Sequence, residues 1–344
     1  MGYYTGCDAH TNSCYFQHMD EDGSLGLTDR VPTDKVGIDR FLSQLDKPTV
    51  MVLEAGRNWW WLSQYFKGHR MVSKVEIIDP RRGRKIASEL SVQSGYGRAK
   101  NDRIDAEMCA EMSRRKIAPL IYPPTEEQLE RRSINRFRQS LVWDRSAHKS
   151  YIHALEAFYN FKLNMKELQI SPTSTIEKLD KSINSYVRMM LKETATQIIS
   201  LNTSINECEK LLCKLFPKNS FDIKILRSHP GIDTVLARTI LSEILDIRNF
   251  KDHPKYLVSY SGLAPFESES DGKKGIIKLN RHCNYYLKYA FMEAGHLART
   301  HPRYKRKYDV DVKKHGKVRA KINLARRITK AVYWMLTRQE LFRY

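Results

Sequence analysis

The chain has 344 residues, too many for one average core and suited to two or three units. Lys and Arg number 59 against 39 acidic residues, giving a formal charge of +20 and an isoelectric point near 9.6, so a polyanionic partner is expected, nucleic acid before an anionic membrane surface. No run of about 18 apolar residues could span a bilayer, the N-terminus carries no secretory pattern, and six cysteines without a C-x-x-C pair exclude zinc-finger spacing and suit a reduced, cytoplasmic protein.

The first third alternates strand and helix signals. Gly2–Cys7 and Ser13–His18 are short strands separated by a turn from a third, Leu25–Val31, with "DEDGS" as that turn. Pro32 and Thr33 open a helix to about Leu45. "TVMVLEA", Thr49–Ala55, is a nearly continuous apolar run and reads as a buried strand. A helix through "NWWWLSQYF" follows, then a strand over Met71–Asp79, and a helix from about Asn101 to Lys116 closes the unit. Trp59, Trp60 and Trp61 sweep about 200° around their helix, so one core face cannot take all three. This part reads as α/β with a mixed sheet, and the rest as all-α.

From Thr125 to about Phe216 there is no glycine, and "ISPTS" is the expected break. Ile183, Val187, Met190, Thr194, Ile198, Leu201, Ile205, Cys208, Leu212 and Leu215 form a heptad seam with one stutter. A long antiparallel helical hairpin is the economical picture, packed on itself or on a second copy. In the last third, "HPGIDTVLARTI" is a turn and an amphipathic helix. It fits a helix-hairpin-helix turn that offers backbone N–H groups to a phosphate, or plain capping by Asp233. "SGLAPFESESDGKKG" is a loop, and helices resume near His282 and from about Lys317.

Asp8 ends the first strand and Glu54 the apolar one, while Asp102 and Asp105 share one helix face. An acid that ends an apolar strand is costly to bury without a partner. Carboxylates at strand ends and on a neighbouring helix can meet at one sheet edge, where two-metal phosphoryl transfer needs them. Mg²⁺ takes such hard oxygen ligands. The plainer reading of Asp102 and Asp105 is a pair of acids favoured by the helix dipole.

"TGCDAH", "MVLEAGR" and "KNDRIDAEMCAEMSRR" resemble the DEDD-type transposases and DNA invertases of the Piv group, along essentially the whole chain. Cys7 and His10 flank the first Asp where that group has smaller or lysine-like neighbours. The resemblance implies a RuvC-like, ribonuclease-H-like domain over 1–122 in which Asp8, Glu54, Asp102 and Asp105 bind Mg²⁺, with Mn²⁺ as a substitute. It implies a helical coiled-coil insert over 123–222 and a helical C-terminal transposase domain over 223–344. In that last domain a serine past the G-L-x-P tract attacks DNA, which favours Ser270 with Ser268 as its rival. Asp271 stands where the group often has glycine, and Lys273 and Lys274 can offset its charge. Double-stranded DNA, a structured noncoding guide RNA and a homodimer or homotetramer are the implied partners, in the nucleoid of a bacterium or archaeon.

Between Arg303 and Lys330 twelve Lys or Arg face two Asp, half of the whole charge excess. Arg303, Lys305, Arg306, Lys307, Lys313, Lys314, Lys317, Arg319, Lys321, Arg326 and Arg327 are candidate phosphate contacts, as are Arg98, Lys100 and Arg103 around the acid pair. Tyr304, Tyr308 and His315, interleaved with them, could stack on unpaired bases. Two other functions remain open on the residues alone. One is a RuvC-like nuclease or junction resolvase that uses water. The other is a nucleic-acid-binding protein without chemistry.

Overall fold

In a computed structural model of the chain, the described residues are 2–93, 95, 101–179, 183–216, 220–250, 253–266, 269–270, 273–274, 278–279 and 283–343, with the side chains of 266–282 left out. They divide into two compact units, Met1–Pro123 and Pro124–Tyr344.

The first unit is a five-stranded sheet in the order β3-β2-β1-β4-β5. β1 (Tyr4–Ala9), β2 (Ser13–Met19) and β3 (Leu25–Pro32) form an antiparallel meander. The β2–β3 turn is tied by Asp20 Oδ1, which accepts from the backbone N–H groups of Asp22 (3.0 Å) and Ser24 (2.8 Å). β4 (Thr49–Glu54) lies parallel to β1, and β5 (Val72–Ile78) parallel to β4. This mixed α/β sheet, followed by a mostly helical remainder, is consistent with a RuvC-like domain.

Alternation along the strands sends side chains to opposite faces. Cys7, Met51, Leu53 and Ile77 join Phe16, Ile38, Phe41, Leu62 and Phe66 in a core beneath α1 (Lys35–Leu42) and α2 (Trp59–Lys67). Val52 and Ile78 face the other way, toward Leu90, Ile104, Met108 and Met112 of α3 (Pro80–Gln93) and α4 (Asp102–Arg114). Trp59 and Trp61 pack against the first core, whereas Trp60 meets Trp59 edge to face.

α3 was not expected from the sequence, which left 80–100 without an element. Its signal is local. Asp79 Oδ1 accepts from Arg81 N (2.9 Å) and Arg82 N (3.0 Å), and Pro80 takes the first helical position, where its missing N–H costs nothing.

Gly6 sets how closely α4 approaches the sheet. A Cβ there would fall on the carbonyl oxygen of Ala106 and within 2.9 Å of Ala110 N. Gly6→Ala is therefore expected to destabilise the unit by about 3 kcal/mol or more, at or above the top of the usual overpacking range, read as a lowered thermal midpoint. Gly68→Ala, whose Cβ would meet nothing closer than 3.7 Å, should change it by less than about 0.5 kcal/mol.

In the second unit, α5 (Glu126–Tyr159) starts with a capping box of Thr125 and Gln128. It ends at Asn160, a left-handed residue (φ 50°), so the helix stops before the expected break at "ISPTS". Two short helices, α6 (Met165–Ile170) and α7 (Pro172–Glu177), precede α8 (Ser185–Leu215). α8 runs antiparallel to α5. Arg138 pairs with Glu209, Arg145 Nη1 donates to Asn202 Oδ1 at 2.8 Å, and Ile152 and Leu155 join the core of Val187, Leu191 and Ile198. Most of the seam is thus buried within the chain itself.

α9 (Phe221–Arg227), α10 (Thr234–Ile244), α11 (Lys255–Tyr260), α12 (Tyr285–Ala298) and α13 (Pro302–Arg338) share the largest core of the chain. Between α11 and α12, where the sequence suggested only a loop, β6 (Pro265–Phe266) pairs with β9 (Lys278–Leu279) and β7 (Glu269–Ser270) with β8 (Lys273–Lys274). α13 starts fifteen residues before the expected Lys317, and Gly316 (φ 80°) breaks it. Asp311 and Arg327 would lie about 24 Å apart on a straight helix. They form an ion pair of 2.9 Å, so the chain doubles back at that glycine.

Candidate metal centre

The β1–β4 register pairs Cys7 with Leu53, which puts Asp8 and Glu54 side by side at the same strand ends. Cys7 and Leu53 point into the α1/α2 core, so by alternation Asp8 and Glu54 point to the α3/α4 face. Because Gly6 admits Ala106 and Ala110 so closely, the first turn of α4 arrives beside these strand ends. Asn101 caps that turn through its side chain, accepting from Ile104 N at 2.8 Å. Asp102 and Asp105 then stand at the positive end of the helix dipole.

All four acids line one cavity of about 480 Å³, together with Cys7, His10, Arg84, Ser88, Ser91, Asn101 and Cys109. The tightest convergence involves a residue that the sequence offered only as a flanking oddity. His10 Nε2 lies 3.2 Å from Asp8 Oδ2 and 3.3 Å from Asp102 Oδ1. These three donors all fall within 4.8 Å of one another. The signal was available in the spacing, since i and i+2 share one face of an extended segment and Asp8–His10 is such a pair.

Burial raises the Asp8 pKa. His10 works against that rise, and the Asp105 and Asp102 carboxylates add to it. The Cys109 thiol is pushed well up by burial first and then by the charges of Glu54, Asp8 and Asp105, so it stays a neutral wall of the cavity. Hard oxygens crowded until they repel one another are a donor set suited to a divalent cation. The residues fit the metal that the DEDD resemblance implies.

The other candidate residues are placed less uniformly. Arg103 is exposed beside the acid pair, whereas Arg98, Lys100 and Ser268 lie outside the described residues. Ser270 stands opposite Lys273 and Glu269 opposite Lys274 in the β7–β8 pair, and the side chains of Ser270, Lys273 and Lys274 also lie outside the described residues. Arg303, Lys305, Arg306, Lys307, Lys313, Lys314, Lys317, Arg319 and Lys321 are exposed along α13. Arg326 and Arg327 differ from them. Arg326 Nε donates to the Leu263 carbonyl at 2.8 Å, and Arg327 pairs with Asp311.

Tyr304 corrects the base-stacking expectation. It is buried, with its hydroxyl 2.6 Å from Nε2 of the buried His229. Burial lowers the His229 pKa to about 4 and raises that of Tyr304 to about 12. In the "HPGID" turn the capping expectation is met. Asp233 Oδ1 caps α10 by accepting from Leu236 N at 2.8 Å, and a Cβ on Gly231 (φ 96°) would come within 2.6 Å of the Ala294 carbonyl. Among the described residues, no helix is long and apolar enough to cross a membrane.

Comparison with known proteins gives two family matches. The model of the DEDD transposases of IS110, described as a transposase, matches residues 5–159. The model described as the IS116/IS110/IS902 transposase family matches residues 223–309. The transposase for insertion sequence element IS1111A of Coxiella burnetii is 24% identical over 253 residues, covering 71% of this chain and 68% of that protein. The transposase for insertion sequence element IS1328 of Yersinia enterocolitica is 22% identical over 278 residues, covering 80% and 78% respectively.

Proposed function

We propose, for a chain that belongs to the DEDD-type transposases of the IS110 family, a transposition reaction that uses the four cavity acids and a serine nucleophile. The observation that carries this reading is the convergence of Asp8, Glu54, Asp102 and Asp105 on one cavity from two strand ends and one helix turn. Mg²⁺ held by these acids would neutralise charge that develops on the phosphate. The acids of β1 and β4 sit on rigid strands, and those of α4 on a helix locked to the sheet at Gly6, so their oxygens are pre-positioned.

Ser270 is the proposed nucleophile, on the family resemblance and its place in the β7–β8 hairpin. Its Oγ would form a bond to phosphorus as the bond from phosphorus to a deoxyribose oxygen breaks. The hydroxyl proton ends on that leaving oxygen. A deoxyribose hydroxyl of the new partner strand then displaces the serine and regenerates it. One phosphodiester is exchanged for another, so no outside energy source is needed. The exposed basic residues of α13 suit phosphate contacts with double-stranded DNA and with a structured guide RNA. Strand exchange at several phosphates calls for a homodimer or homotetramer.

The test is incubation of the full chain with DNA carrying the element's flanks, its adjacent noncoding RNA and Mg²⁺. A covalent protein–DNA adduct should appear on denaturing gels and vanish in Ser270→Ala. Adducts that persist in that variant would move the nucleophile elsewhere. Cleavage without any adduct would mean hydrolysis by water instead.

A further inference from the structure

The cavity holds one feature that four carboxylates do not explain. His10 Nε2 sits between Asp8 Oδ2 and Asp102 Oδ1, at 3.2 and 3.3 Å. Donor atoms within 4.8 Å of one another can all reach a single ion at ordinary ligand distances of about 2.0–2.4 Å. We propose that His10 is a metal ligand, so that the ion between Asp8 and Asp102 is bound by nitrogen as well as oxygen and is Mn²⁺ in preference to Mg²⁺. This rests on the metal-dependent reading of the same cavity.

The chemistry of the donors gives the preference. Mg²⁺ demands hard oxygen ligands and keeps its waters, whereas imidazole suits first-row transition ions. Mn²⁺ accepts carboxylate, water and imidazole together, so one nitrogen among oxygens shifts selectivity toward it without excluding Mg²⁺. The ring is about half exposed, which leaves it free to turn toward an ion and to let water complete the coordination. Glu54 and Asp105 line the same cavity outside this three-atom group and offer oxygen only.

Mn²⁺ is the probe. Titrated into the full-length protein and followed by electron paramagnetic resonance, it should bind, and pulsed spectra should show coupling to a directly bound ¹⁴N. His10→Ala should abolish that coupling and weaken Mn²⁺ binding about tenfold or more. Mg²⁺ affinity, measured by competition, should fall less than about threefold. His10 is exposed, so the variant should fold, and His10→Gln, which keeps a polar side chain without imidazole, should also lack the coupling. Mn²⁺ bound without ¹⁴N coupling in the unaltered protein would overturn the His10 assignment and leave the four-acid reading standing. Coupling that survives His10→Ala would overturn it equally, by pointing to another nitrogen. Absence of Mn²⁺ binding, with Asp102→Asn no different from the unaltered protein, would remove the metal centre itself.

Discussion

Asp102→Asn is expected to lower strand cleavage by about 10³-fold or more while the protein stays folded, because in the proposed reaction several kcal/mol of transition-state charge stabilisation depends on each acid that would hold the metal. The side chain is partly exposed in the first turn of α4, and Asn101 rather than Asp102 caps that turn. Losing its charge should therefore cost the helix only about 0.3–1 kcal/mol through the dipole. A large activity loss at nearly constant thermal midpoint separates a metal-binding Asp102 from an ordinary helix-start acid. The latter predicts normal activity in the variant. Asp8→Asn should behave alike in activity. Burial and the neighbouring acids already disfavour a charge at Asp8, so neutralising it should leave stability equal or slightly higher.

Glu243→Ala should destabilise the helical unit by about 3 kcal/mol, the low end for breaking a buried ion pair, because the stranded Arg136 is 39% exposed to water. The carboxylate is fully buried. Arg136 grips it with two hydrogen bonds of 2.7 Å, and Asn284 Nδ2 donates to it at 2.7 Å. Arg132 donates to the Ser242 and Glu243 carbonyls. One acid thus ties α5, α10 and α12 together. Removing it strands the half-buried Arg136 guanidinium, which also stacks on Tyr286 at 4.9 Å from the ring centre. Replacing Glu243 and Arg136 together with methionine should recover part of the loss, because the unpaired Arg136 charge goes with them while Arg132, also 3.6 Å from Glu243, keeps its backbone acceptors. Chemical denaturation of the single and double variants checks this. Equal destabilisation of both would contradict it.

Much of this network was illegible in the sequence. Glu243 lies in an amphipathic helix and reads as one more surface acid. Its burial depends on Arg136, 107 residues earlier, and on Asn284, 41 residues later. By contrast, the strands of the sheet could be read closely, because alternation and an apolar run are local signals. Asp8 and Glu54 were placed correctly at strand ends for the same reason. What no local pattern carried was the approach of α4, which hangs on the missing side chain of Gly6, and with it the meeting of His10 and Asp102. The doubling back of α13 shows a similar limit. A lone glycine in a basic tract looks tolerable in a helix, yet Gly316 adopts a left-handed φ that places Asp311 against Arg327. Tyr304 had the neighbours of a base-stacking residue, and only the distant His229 reveals it as core.

In the proposed reaction Asp8, Glu54, Asp102 and Asp105 together hold the divalent ions that act on DNA. Crystals of the full chain soaked in Mn²⁺ and measured at an anomalous wavelength test it most directly. Anomalous peaks are expected in the cavity within about 2.4 Å of carboxylate oxygens of these residues, and should be lost in crystals of Asp102→Asn. Well-ordered crystals with no peak there, or a peak held by other residues, would contradict it.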